Sequence, residues 1–509
     1  MRGIRGRLAD IFPALGNDIW HSSAVQRDPV IYEINTWPWL TRLGRELGHP
    51  VTLGSVPDHV WDAIGLGPID AVWLMGVWQR SPAGVRIALS DEPLVENFHE
   101  SLGDFTPDDV VGSPYCIRDY RVDDHLGGPD GLAIARRALA ERGIGLILDF
   151  VPNHLATDHP WALENPERFV GGSAEDLAAH PREFVLVGKH IIAHGRDPHF
   201  APWRDVLQLN AFHAAVRRGA VDALTAIAAQ ADGVRVDMAM LMCNDIFAAT
   251  WADRVGATPA VDYWSEVISA LREVSPDFVF IAESYWGTEG ILRSQGFDYC
   301  YDKTLTDALE HHPHDVAAII AADTDRAGKV HFIENHDEPR AQSVFGGRHR
   351  AAAITALTQP GARLIYDGQI DGRMIRLPVQ LAREPDEPVR AELRDFYREM
   401  LCVLSEPALH TGVFSVLPVT GWPDNPPGAG LTAWSWTSAQ ARWLIVVNLD
   451  DAAGAGRVHT DWPELVSAAA TLIDPIAGDR FHRPPDPDQD IFVMLPAWGA
   501  HVLSVQIDT

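Results

Sequence analysis

The chain is poor in cysteine and in lysine, and it has no long apolar run. Its four cysteines, Cys116, Cys243, Cys300 and Cys402, lie far apart with no CxxC spacing. That excludes a disulfide framework and a thiolate metal knuckle, and reduced, mostly buried thiols are expected. No stretch approaches the roughly 18 consecutive apolar residues of a membrane span, so no membrane partner is expected. Positive charge is scarce: 41 Lys and Arg face 70 Asp and Glu, for a net charge of −29, and only Lys189, Lys303 and Lys329 are lysines. So acidic a surface repels nucleic acid, which is also excluded as a partner. The basic start, Met1 to Arg7, runs directly into Asp10, Asn17 and Asp18 rather than into an apolar segment. No export signal is read there, and a cytoplasmic location is expected.

What remains is a chain with 46% hydrophobic and 22% charged residues, a balance that supports a large core. Its first two-thirds alternate short apolar runs with amphipathic stretches, the pattern of repeated βα units. Strands are predicted over 30–35, 71–75, 145–150, 233–237, 278–283, 297–301, 331–334 and 362–366, with helical periodicity filling most gaps. Eight such alternations specify the α/β class and a (β/α)8 TIM barrel. Residues 155–205 break the rhythm with an irregular stretch rich in Pro, His and Trp, after the third strand. Past about residue 407 the helices stop, and strands at 413–419, 431–436, 443–448, 470–473 and 502–506 predict an appended all-β domain. The domain reading is a 1–29 arm, a barrel over 30–154 and 206–407, an insertion over 155–205, and a β domain over 408–509.

Four polar clusters fall at the C-terminal ends of predicted strands, where barrels carry their chemistry. They are DFVPNH at 149–154, GVRVD at 233–237, Ala282-Glu283, and FIENHD at 332–337. One Asp or Glu at a strand end is ordinarily a cap or an ion-pair partner; four clusters on four strands of one barrel are not explained that way. Arg235 and Asp237 are two apart on a strand and share a face, so the guanidinium is expected to depress the Asp237 pKa, as suits a nucleophile. Glu283, beside Ala282 and the pair Tyr285-Trp286, is expected in an apolar setting that raises its pKa, as suits a proton donor. Two carboxylates so separated meet the needs of retaining glycoside cleavage. Asp337, His154 and His336 are candidates for sugar hydroxyls.

These clusters resemble the signature regions of the α-amylase family, glycoside hydrolase family 13, in order and spacing. Weaker landmarks agree: Ser113-Pro114-Tyr115 with Asp119-Tyr120, Val206 to Asn210, and 359–369. The resemblance implies a short domain B after strand three and a C-terminal antiparallel β-sandwich. It implies Asp237 as nucleophile, Glu283 as acid/base and Asp337 as third essential carboxylate, with Tyr115, Asp149, His154, Arg235 and His336 completing the donor subsite. An α-glucan or oligosaccharide is the expected substrate. Met240-Leu241 replace a Lys-His pair common in amylases. Gln208 replaces an Asp of calcium-binding members, so no tightly bound Ca2+ and no other metal is expected. The alternative within the same chemistry passes the intermediate to a sugar hydroxyl, making a transglycosylase or isomerising glucosyltransferase. Two further readings are a non-catalytic barrel, which would have lost Asp237 or Glu283, and a metallohydrolase on the His- and Asp-rich strand ends, which Arg235 opposes.

Overall fold

Alternation of apolar β-branched runs with amphipathic helices resolves into a closed parallel barrel. A computed structural model describes residues 28–422, 428 and 430–508; most of the 1–29 arm lies outside the described residues. The barrel strands are β1 (Val30–Asn35), β2 (Ala71–Met75), β3 (Gly145–Phe150), β4 (Gly233–Val236), β5 (Val279–Ala282), β6 (Tyr299–Tyr301), β7 (Lys329–His331) and β8 (Ala362–Tyr366). Each pairs in parallel with its sequence neighbour, and β8 closes on β1. This is the expected TIM barrel. The seventh strand differs from the 331–334 prediction: it ends at His331, and Phe332-Ile333 continue its apolar run without the ladder.

Because strand side chains alternate faces, each strand sends one parity inward. Ile31, Trp73, Ile147, Ile281, Tyr301, Val330 and Leu364 pack together inside the barrel. The other parity, such as Val72, Leu146, Leu148, Val234 and Phe280, packs outward against the helices. Glu33, Asp149, Arg235 and Asp237 have the inward parity, so the apolar plug carries a polar layer at its C-terminal end.

The stretch read as irregular is more ordered than its composition predicts. It contains most of a four-stranded sheet of His154–Ala156, Phe184–Val187, His190–Gly195 and Trp203–Gln208. These strands are short, and their His, Arg and Trp residues blur the period-two signal on which a strand prediction depends.

Beyond the barrel, two antiparallel sheets face one another, as expected for a β-sandwich. Among the described residues the larger has six strands, with Leu431–Thr437 and Arg442–Asn448 central, and the smaller has three. Leu431, Ala433, Leu444 and Val446 point into the layer between the sheets. The opposite parity, Trp434, Trp436, Ile445 and Val447, joins the main core. Trp434 Nε1 donates to Thr358 Oγ1 at 3.0 Å and Trp436 Nε1 to the Thr358 carbonyl at 2.9 Å. The sandwich is thereby fastened to the helix that precedes β8.

Candidate active site

One guanidinium organises the site. Arg235, buried on β4, reaches Asp237 Oδ1 through Nη1 at 2.7 Å and Glu283 Oε2 through Nη2 at 2.9 Å. Its Nη2 also lies 4.0 Å from Asp337. The register sets it level with Asp149 on β3 and Ile281 on β5. Trp73, Tyr115 and Tyr301 ring the cation, their centroids 5.1–5.7 Å from it. That aromatic collar shields the charge from water on the barrel side and strengthens its hold on the carboxylates.

Each carboxylate is fixed by its own element. Asp149 accepts from Trp73 Nε1 at 3.1 Å and from the Gly76 N–H at 2.7 Å. Glu283 accepts from the Met238 N–H at 2.6 Å and from the Tyr285 hydroxyl at 2.9 Å. Met238 has φ 43°, a left-handed backbone unusual for a side chain with a Cβ, and that turn aims its N–H at Glu283. After β7 the Asn335 side chain caps the N–H groups of Asp337 and Glu338 at 2.9 and 3.0 Å. His336 Nε2 lies 2.9 Å from Asp337 Oδ2 and 2.7 Å from the Tyr115 hydroxyl. Its Nδ1 meets Glu33 Oε1 at 2.5 Å.

Burial and charge divide the work. Asp237 is raised, because burial outweighs the pull of Arg235. This corrects the expected depression; the arginine's effect is real, but it is spent against desolvation. Glu283 rises to about 7, chiefly by burial, with repulsion from Asp237 and Asp337 adding to it. Its setting is not apolar, as expected, but a polar cradle of Arg235, Met238 and Tyr285. Those acceptor bonds favour the carboxylate and burial opposes it, which leaves Glu283 close to neutral pH. Burial pushes Asp149 up to about 6. For Asp337 burial is overcome by His336 and Arg235, which hold it well below the usual carboxylate range. His336 rises to about 10, because Asp337 and Glu33 outweigh its burial.

The structure therefore gathers Tyr115, Asp149, Arg235, Asp237, Glu283, His336 and Asp337 around one cation. His154 sits at their edge. It packs 5.1 Å from Trp203, bonds the Tyr115 backbone and is driven down to about 4 by burial, hence neutral. Of the tryptophans near strand ends, Trp39 and Trp78 are buried, whereas Trp286 is 45% exposed beside His199. Met240 and Leu241 are both buried. Gln208 Nε2 donates to Asn153 Oδ1 at 2.8 Å and to the carbonyls of Asn153 and Leu209 at 2.9 and 3.1 Å. Those oxygens, which could face a cation, already accept from an amide. Among the described residues, no group of three His, Cys, Asp or Glu is placed to hold a metal ion. Sequence reasoning missed Glu33, Trp73 and Tyr301. A lone carboxylate of inward parity in the apolar run VIYEIN was the available signal for Glu33.

A parallel eight-stranded barrel whose C-terminal rim holds paired carboxylates on an arginine has its polar cluster at the end where barrel enzymes carry their chemistry. No family model matches the chain. It is 26% identical over 392 residues to the α-amylase MalA of Haloarcula japonica, an alignment covering 74% of this chain and 49% of that one. It is 24% identical over 362 residues to a cyclomaltodextrinase of Geobacillus thermopakistaniensis, covering 63% and 58%. The chain thus spans about half the length of the curated relatives it matches. A solved α-amylase from Lactobacillus plantarum superposes with a TM-score of 0.65 at 19% identity, covering 95% of this chain and all of that one. The resemblance carried by the four motifs is borne out: the chain is similar in sequence and fold to α-amylases and to a cyclomaltodextrinase.

Proposed function

We propose that the chain cleaves α-glucosidic bonds of an α-glucan or maltooligosaccharide with retention, Asp237 acting as nucleophile and Glu283 as general acid/base. The observation that carries this reading is Arg235 bridging both carboxylates from adjacent strand ends. Such bridging suits the short separation, about 5–5.5 Å, of retaining glycosidases. In the first step Asp237 attacks the anomeric carbon while Glu283 gives its proton to the departing glycosidic oxygen. In the second, Glu283 takes a proton from the incoming hydroxyl, whose oxygen displaces Asp237 and restores both groups. Asp337, with 39% of its side chain exposed, accepts hydrogen bonds from sugar hydroxyls, and imidazolium His336, its two N–H groups turned to Glu33 and Asp337, keeps that carboxylate ionised.

Hydrolysis is the first reading of the second step. Transfer to a sugar hydroxyl is the second reading, because the turn after Asp237 carries buried, apolar Met240 and Leu241 in place of the Lys-His pair common in amylases. The Asn153–Gln208 amide pairing supports an enzyme that needs no calcium. Chromatography of products from maltoheptaose, with and without added glucose and with and without a calcium chelator, tests these points, with Asp237→Asn as blank. Shorter products alone, unchanged by chelation, are expected. Longer products at constant reducing ends would replace hydrolase by transferase, and loss of activity with chelator would overturn the calcium-free reading.

A further inference from the structure

The two oxygens of Glu283 meet unlike neighbours. Oε2 accepts from the Met238 N–H at 2.6 Å and lies 2.9 Å from Arg235 Nη2. Both neighbours are donors that keep their hydrogens at neutral pH, so a proton on Oε2 would be set against theirs. Oε1 faces the Tyr285 hydroxyl, which donates to it at 2.9 Å, the one hydrogen bond to that oxygen among the described residues. A phenol both donates and accepts. Tyr285 can therefore give its hydrogen to the carboxylate or receive one from the acid, which neither an N–H nor a guanidinium can do. The proton of neutral Glu283 thus belongs on Oε1.

A strained turn holds that phenol in place. Tyr285 opens it, and the Thr288 N–H closes it on the Tyr285 carbonyl at 3.3 Å. The Thr288 hydroxyl donates to the same oxygen at 2.7 Å. The two central residues, Trp286 and Gly287, have φ of 59° and 71°. A turn with positive φ at both centres favours Gly, Asn or Asp, and a tryptophan is strained there. Its ring is braced edge-on against His199 of the insertion, with 4.5 Å between centroids. Such strain persists where the surroundings over-determine it, and here it fixes the backbone of Tyr285 just beyond the acid.

We propose that Tyr285 is a positioning residue for the acid step: its hydroxyl confines the Glu283 proton to Oε1 and stabilises the carboxylate left when that proton departs. This role rests on the reading of Glu283 as general acid. The Oε1 proton passes to the glycosidic oxygen as the bond from that oxygen to the anomeric carbon breaks and the bond to Asp237 forms. Tyr285 keeps its own hydrogen throughout. A hydroxyl bonds an anion more strongly than a neutral acid, so the contact tightens toward the transition state and contributes to rate. The other charged or titratable groups facing the pair are Arg235 and Asp237 at the end of β4, Tyr301 on β6 and Asp337 after β7. Tyr285→Phe leaves all four in place.

That substitution removes the donor to the carboxylate. The alkaline limb of kcat/KM for maltoheptaose is expected to move up by about one pH unit. Below the limb, kcat/KM for maltoheptaose should fall about three- to tenfold. For α-glucosyl fluoride, whose leaving group needs little protonation, it should change less than about twofold. A merely structural role would lower both substrates alike and leave the limb where it is, and either result would overturn the proposal. A carboxyl-carbon NMR titration of Glu283, its signal assigned by its absence from Glu283→Gln, reads the same shift without turnover; an unmoved titration would also overturn it. Failure of the catalytic reading is seen separately, as a wild-type chain that leaves maltoheptaose uncut, which would remove the acid role and this one with it.

Discussion

At the scale of single residues, the proposed roles rest on which groups burial and charge leave protonated. Glu283, raised to about 7, must carry a proton to act as acid, so activity falls as pH rises through that value. Asp237, raised by burial, must be ionised, so activity also falls as pH drops through its own pKa. On these proposed roles the pH–rate profile should be a bell, with Glu283 setting the alkaline limb. Glu283→Gln should lower kcat/KM by about 10²–10⁴ and remove that limb; a limb that stays in place would take Glu283 out of the acid role. Glu33 belongs to the same scale. Glu33→Gln keeps an acceptor for His336 Nδ1 but loses the charge, so the His336 pKa, now about 10, should fall in an NMR titration of the ring. The sign for stability follows. His336 is raised on folding, so its ion pair stabilises fully below the unfolded value of about 6.5 and is lost as pH climbs through about 10. The stability gap between wild type and Glu33→Gln should close over that window. The carboxylates at strand ends were legible because their chemistry forces a local motif. Glu33 was not, because its partner His336 is 303 residues away and nothing near it in the sequence announces the contact.

At the scale of elements, the turns after the strands aim the groups. Gly76 follows β2 with φ 77°, and its N–H holds Asp149. A Cβ there would meet Pro114 Cβ at 2.7 Å and Arg80 Nη2 at 2.9 Å. Gly76→Ala should therefore cost about 1–3 kcal/mol in a denaturant melt and lower kcat with it. An unchanged midpoint would mean that the turn carries no strain. Elements were legible where one face is apolar and the run is regular, as in β1, β2, β3 and β8. The end of β7 was not, since Phe332-Ile333 look like strand although the chain leaves the ladder to let Asn335 cap Asp337. The sheet within 154–208 was hidden by strand length: His154–Ala156 has three residues, too few for a period to declare itself.

At the scale of the whole molecule, the barrel acts as a frame. An inward layer of Ile31, Trp73, Ile147 and Ile281 sits below Arg235, and the rim above gathers groups from β2, β3, β4, β5 and the segment after β7. The sandwich closes the opposite flank through Trp434 and Trp436. Its general character was legible from turn spacing, while Gly454–His459, Asp479–Arg483 and Asp490–Leu495 were missed because Gly, Arg and Asp dilute their alternation. The proposal for the rim is that a sugar is carried covalently on Asp237 between two proton transfers by Glu283. It is tested most directly by trapping that species with a fluorinated glucosyl fluoride, which forms the ester quickly and releases it slowly, followed by peptide mass spectrometry. The account predicts one glucosyl group per chain, on the peptide containing Asp237, and none in Asp237→Asn. A label on another carboxylate, or turnover of the reagent with inversion and no label, would contradict it.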